Sequence, residues 1–248
     1  MQIISEPPIT ADLIRARLHA LRARLRIAAE RAGRDPGGFR IVAVTKEWPP
    51  DVCRTALRAG LTLLGENRVQ EAELKAAAVP GAEWHLVGHL QSNKARRAVR
   101  LFEVIHSVDS ADLLERLDGV AADEGQAPRL LLQVNLTGEA SKAGMEPAAL
   151  RRGGAERHRL VTAVRRLSAA RLVGLMTIAR LGAAGEEARA TFRDLRHLRD
   201  DLQQTSGAAL AELSMGMTAD AEEAVAEGAT LVRIGTALFG PRPRHRAG

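Results

Sequence analysis

The chain has 248 residues, 46% apolar and 27% charged, with 36 Lys+Arg against 30 Asp+Glu for a net charge of +6. This composition belongs to a folded chain with ample core and excludes a disordered tail protein, a disulfide scaffold and a membrane channel. No apolar run approaches the roughly 18 residues of a bilayer span, and the opening MQIISEPPITADLIRARLHA lacks the basic-then-apolar order of a secretion signal. The single cysteine, Cys53, fits a reducing, cytoplasmic setting.

The basic balance is modest. The last eight residues, PRPRHRAG, hold three arginines and no acid, so the rest of the chain carries +3. Most other arginines interleave with acids, as in GEEARATFRDLRHLRD, and read as solvated helix faces. Four Phe, two Trp and no Tyr give little stacking surface, which argues against a nucleic-acid partner.

Periodicity predicts an opening helix from Thr10 to Arg31, with Thr10 as N-cap, Gly33 as stop, and Leu13, Leu18, Leu21, Leu25 and Ile27 as its apolar surface. Strands follow at Ile41–Thr45, Leu61–Gly65, Glu83–Val87, Phe102–His106, Leu130–Asn135, Leu172–Thr177, Ala211–Met215 and Leu231–Ile234. Helical patterns separate them, among them Pro50–Ala59, Val69–Ala78, Ala111–Ala122 and Thr191–Gln204. Eight strands with seven intervening helices imply a parallel sheet, because parallel neighbours need crossovers. The length suits an α/β fold of one domain over residues 1–248, a (β/α)8 TIM-type barrel with an extra N-terminal helix and a basic tail from about residue 241. Arg151–Gly154 breaks the helix after the fifth strand, and Leu181–Gly185 reads as a loop.

Barrel active sites lie at the C-terminal ends of the strands. Those ends carry Lys46, Glu66-Asn67, His89, His106-Ser107, Asn135, Met176-Thr177, Ser214-Met215-Gly216, and Arg233 before Gly235-Thr236. Lys46 is the sharpest candidate. The chain uses 32 arginines and only four lysines, and a lysine directly after IVAVT has an amine that can form an imine where arginine cannot. The alternative is a lysine snorkelling from a strand end. Gly216 and Gly235, each leading into a helix, are either ordinary turns or a phosphate site of the kind barrels place after strands seven and eight. His85 and His89 lack the further ligands that a zinc site requires, Cys53 reads as a core thiol, and Asp109 reads as a helix N-cap. Nucleotide-binding glycine fingerprints are absent.

The segments IVAVTK (41–46), GENRVQE (65–71), EWHLVGHLQSNK (83–94), IHSVDS (105–110), VNLTGEASKAG (134–144), GLMTI (174–178), LSMGMTAD (213–220) and VRIGTALFG (232–240) together resemble the pyridoxal-phosphate homeostasis proteins, the YggS or PROSC family. The resemblance implies a barrel like the alanine racemase N-terminal domain and pyridoxal 5'-phosphate (PLP) held as an aldimine on Lys46. It places the phosphate on Ser214, Gly235 and Thr236, has Asn67 and Met176 line the pocket, and sets Arg233 against the pyridine nitrogen. Lys142, in the SKAG motif, would be a second amine near a mobile loop.

The implied role is to hold, buffer or deliver PLP, with apo-PLP enzymes as recipients and no metal or membrane partner. The alternative is a weak amino-acid racemase. Arginine facing the ring nitrogen disfavours its protonation and weakens the ring as an electron sink. The chain also has no tyrosine to serve as the second acid/base that alanine racemase uses. Glu47-Trp48-Pro49, and Thr218 where serine is common, depart from the family pattern without removing an implied contact.

Overall fold

The computed structural model describes residues 9–139, 142–150 and 152–241. Eight parallel strands pair in chain order and close, the first on the eighth. They are β1 (Arg40–Val44), β2 (Leu63–Glu66), β3 (Glu83–Leu86), β4 (Val104–Val108), β5 (Arg129–Gln133), β6 (Arg171–Met176), β7 (Glu212–Ser214) and β8 (Leu231–Ile234). The crossovers are α2 (Pro50–Arg58), α3 (Val69–Ala78), α4 (Ala95–Leu101), α5 (Ala111–Glu124), α6 (Ala155–Arg166), α7 (Glu186–Ser206) and α8 (Ala221–Ala226). The expected α/β barrel is therefore present. No helix among the described residues is long and apolar enough to cross a membrane.

The opening helix, α1 (Ala11–Arg31), completes the outer ring. Among the described residues, the chain after β8 makes only the short α9 (Thr236–Phe239), too small to cover a barrel face. Helix α1 packs on α8, α9 and α2, in the place an eighth full helix would take. Thr10 caps it, accepting a hydrogen bond from Leu13 N–H. Its buried line is Ile14, Leu18, Leu21, Leu25 and Ala29, one stripe at helical spacing. Ile27, expected on that stripe, instead lies outward and half exposed.

Two hydrophobic layers result. The larger fills the space between sheet and helices. The smaller, Val42, Val104, Leu131, Met176 and Leu231, fills the barrel interior. Gly174 allows β6 to approach β7, since a Cβ there would fall well inside contact distance of the Glu212 carbonyl oxygen.

Three expected boundaries shift for local reasons. Phe102 N–H bonds back to Ala98 O as the end of α4, so β4 starts two residues later than its apolar run. Leu61 likewise bonds back to Ala56 O before β2 begins. Helix α5 is capped by Ser110, whose Oγ accepts from Leu113 N–H. Asp109, expected to be that cap, faces His89 at 3.3 Å. After β5 a 3-10 turn, Pro147–Leu150, precedes α6, as the glycine-rich break suggested; Arg151 lies outside the described residues. The tail beyond residue 241 also lies outside them.

Candidate functional site

The β1, β2 and β8 ends converge on one rim of the barrel. Lys46 lies two residues past the end of β1 and is half-buried, Asn67 directly follows β2, and Gly235-Thr236 directly follow β8. The close pairing of β8 on β1, with Ala43 opposite Ile234, sets Lys46 across from the start of α9. Gly88 abuts Asn67: a Cβ at Gly88 would collide with the Asn67 backbone, so glycine is what lets the β3 end lie against it. A cavity of about 300 Å³ opens on this rim, lined in part by Asn67, Gly88, Gln133, Asn135, Lys142 and Ile178. Lys142 Nζ donates to Glu139 Oε1 at 2.8 Å and to Ala179 O at 3.1 Å, so this second amine is tied to the loop's own carboxylate.

A buried clasp stands behind Lys46. Lys75 Nζ, on α3, donates to Thr45 O at 2.8 Å, Glu66 Oε1 at 2.7 Å and Glu71 Oε1 at 2.6 Å. Thr45 Oγ1 donates to Glu66 Oε1 at 2.5 Å, and Glu71 Oε1 also accepts from Glu47 N–H. The residues on both sides of Lys46 are thereby anchored. Glu47 pays for the sharp exit with φ 67°, the left-handed region. Burial raises the Glu66 carboxyl above its usual range, with Lys75 and Thr45 pulling the other way. Cys53, buried beside this clasp, is pushed up to about 11 by burial and stays a thiol at neutral pH, the core role expected of it.

Below the rim, Arg233 sits inside the barrel at 4% exposure. Its Nη1 donates to Ser214 Oγ at 2.7 Å and its Nη2 to Thr177 O at 2.9 Å. No carboxylate among the described residues pairs with it directly. Burial pulls its pKa to about 10, with Asp220 pulling upward from a distance, so it remains a cation. Ser214 Oγ is also 2.8 Å from His106 Nδ1, His106 Nε2 is 2.9 Å from His85 Nδ1, and His85 Nε2 is 2.9 Å from Glu83 Oε1. Glu83 closes the series in an ion pair with Arg129. His85, His106 and Ser214 are fully buried. Burial lowers both histidines below the ordinary imidazole range, His106 far more so, which keeps them neutral. The His85 hydrogen bond is the main cause that holds Glu83 down to about 2, so it is ionised.

The chain matches the alanine racemase N-terminal domain family over residues 16–243. It is 40% identical over 228 residues to the pyridoxal phosphate homeostasis protein of Aquifex aeolicus, covering 91% of this chain and 97% of that one. The chain belongs to the pyridoxal phosphate homeostasis family. PipY of Synechococcus elongatus, solved with PLP bound, is 42% identical with a TM-score of 0.79, covering 92% of this chain and all of that one. An alanine racemase of Clostridium difficile in complex with cycloserine shares the barrel at 14% identity and a TM-score of 0.74, covering 96% of this chain but 62% of the racemase. That likeness is one of fold.

Within this family frame, the sequence-predicted residues divide. Lys46, Asn67, Gly235 and Thr236 stand on the rim, while Met176 and Arg233 lie buried below it. The hydroxyl of Ser214, expected on a phosphate, is turned inward to Arg233 and His106. His85, to which the sequence assigned no role beyond arguing against a zinc site with His89, meets His106 from the next strand. The usable signal was histidine at an inward-facing position of two neighbouring strands, with serine on a third. Likewise Lys75 was invisible as a partner of residues beside Lys46, because only the α3–β2 packing brings it there.

Proposed function

We propose that residues 1–248 form one PLP-binding domain that holds pyridoxal 5'-phosphate covalently through the Lys46 amine and thereby stores or delivers it inside the cell. The carrying observation is the donor set: a half-buried lysine on the rim above a buried arginine that has no carboxylate partner among the described residues. PLP bound there supplies a reactive aldehyde on an electron-accepting ring. Asn67 and Met176 would bound the ring, and Gly235 and Thr236 at the opening of α9 would face the phosphate. Ser214 would serve the phosphate side only through its neighbours, because its hydroxyl is bound to Arg233 and His106.

Arg233 separates storage from turnover. A fixed guanidinium cannot accept a proton, and its charge opposes protonation of a ring nitrogen placed against it. The site therefore withholds the charge that strengthens electron withdrawal. With no tyrosine in the chain, a second acid/base of the racemase kind is also missing. Apo-PLP enzymes are the proposed recipients, reached by exchange of the Lys46 linkage for another amine, and the cytoplasm is the proposed compartment.

The test is PLP titration of the purified protein followed by borohydride reduction and peptide mapping, on wild type and Lys46→Ala. The expected result is a visible absorption band and a reduced adduct on Lys46, both lost in the variant. Absence of PLP uptake by the wild type would overturn the proposal. Rapid racemisation of an amino-acid panel would overturn the storage reading.

A further inference from the structure

The interior series from Glu83 to Arg233 has a hydrogen-bond direction that chemistry fixes from one end. An ionised carboxylate only accepts, so Glu83 Oε1, 2.9 Å from His85 Nε2, requires a proton on that nitrogen. A neutral His85 then has a bare Nδ1, which must accept from His106 Nε2–H across 2.9 Å. His106 in turn has a bare Nδ1, which must accept the Ser214 hydroxyl proton across 2.8 Å. The Ser214 lone pairs are left to accept from Arg233 Nη1, and a guanidinium is always a donor. Every member is satisfied in this direction. Reversal fails at both ends, since Glu83 has no proton to give and Arg233 has no lone pair to offer. The series therefore does not conduct protons to the rim.

We infer that His85 and His106 are positioning residues: both neutral, both protonated on Nε2, they fix the Ser214 hydroxyl and through it aim the Arg233 guanidinium at the PLP ring. This rests on the PLP reading for what Arg233 faces, but not for the series itself. A carboxylate beneath Arg233 would hold it as firmly while neutralising it. A neutral imidazole column holds the guanidinium and leaves its charge unspent. The column also ties Arg233, below the rim, to Glu83 and Arg129 at the barrel's opposite end, where β3 and β5 begin.

The test is histidine 15N NMR of the apo protein, with PLP titrated afterwards. In wild type, His85 and His106 are expected as the neutral Nε2–H forms, and a charged ring or an Nδ1–H form at either would overturn the inference. Glu83→Ala, which leaves the rim untouched, is expected to mix the two histidine forms and to broaden the Arg233 Nε–H resonance. It should also weaken PLP binding several-fold, toward the tenfold that loss of one buried hydrogen bond represents. Glu83→Gln, which keeps an acceptor oxygen, is expected to restore the histidine forms and most of the affinity. A folded Glu83→Ala with unchanged histidine forms and an unchanged Arg233 signal would refute the column. Failure of wild type to take up PLP would leave the apo-protein NMR result standing and overturn the cofactor reading alone.

Discussion

Lys75→Met removes the one cation in the clasp behind Lys46 while keeping the length of its apolar stem. The ammonium serves three acceptors, and the side chains of Lys75 and Glu66 are 4% and 0% exposed. Without it, an ionised Glu66 would have only Thr45 Oγ1 as donor, so the folded protein keeps the carboxyl protonated instead. Holding a proton at pH 7 on a group that releases it near 4.3 when unfolded costs at most about 4 kcal/mol relative to wild type, whose Glu66 carboxyl is already raised by burial. Thr45 O and Glu71 each lose a donor, adding about 1 kcal/mol. The expected loss is at most about 5 kcal/mol at pH 7. Because the raised carboxyl binds its proton more readily in the folded than in the unfolded chain, stability falls as pH rises above about 4. The loss therefore shrinks to about 2 kcal/mol at pH 5. Urea denaturation of wild type and variant at the two pH values measures it, and Lys75→Met/Glu66→Gln should recover about half of the loss at pH 7. A loss that is equal at both pH values, or below about 1 kcal/mol at pH 7, would refute the reasoning.

Three further outcomes follow from single sites. Asp118 accepts from the N–H groups of Ser168, Ala169 and Ala170; burial alone would raise its carboxyl, but these donors hold it below the usual range. Asp118→Asn should cost about 1–2 kcal/mol at neutral pH in denaturant melts. The gap from wild type should close as the carboxylate protonates below about pH 4. Gly174→Ala should lower stability by at least about 2 kcal/mol in the same assay, because the added methyl meets the Glu212 backbone rather than a side chain that can turn away. Cys53, buried with its thiol pushed up to about 11, should resist iodoacetamide in the native protein and react promptly in urea.

The barrel was legible because its signal is repeated. Apolar runs such as IVAVT and RLLLQV are followed by amphipathic stretches, and eight such units in this length match a closed barrel better than an open doubly wound sheet, as the strand pairing bears out. What escaped was set by contacts between elements rather than along them. Ile27 fits the opening helix by hydropathy, yet the buried stripe is fixed by where α8, α9 and α2 meet it. Phe102 looks like a strand residue but closes α4, and Asp109 yields its cap to Ser110 because the cap position follows the backbone turn.

The same division runs through the candidate site. Lys46, Asn67, Gly235 and Thr236 are rim residues that strand ends alone predict, since any strand end of a barrel reaches that face. The residues that anchor the chain beside Lys46, or that hold Ser214 and Arg233 below the rim, lie on other strands or on a different layer. Lys75 reaches Thr45 from α3, and His106 reaches Ser214 across the barrel from β4 to β7. Ser214 shows the consequence: its motif pointed to a phosphate, whereas its hydroxyl lies at the join of a donor-only arginine and an accepting imidazole. A guanidinium held by neutral groups keeps its full charge toward whatever lies above it, and a ring nitrogen in that field is left without its proton. On the proposed PLP reading, the polar residues packed inside this barrel would favour retention of an aldehyde over carbanion chemistry, and would do so from positions that never reach the rim.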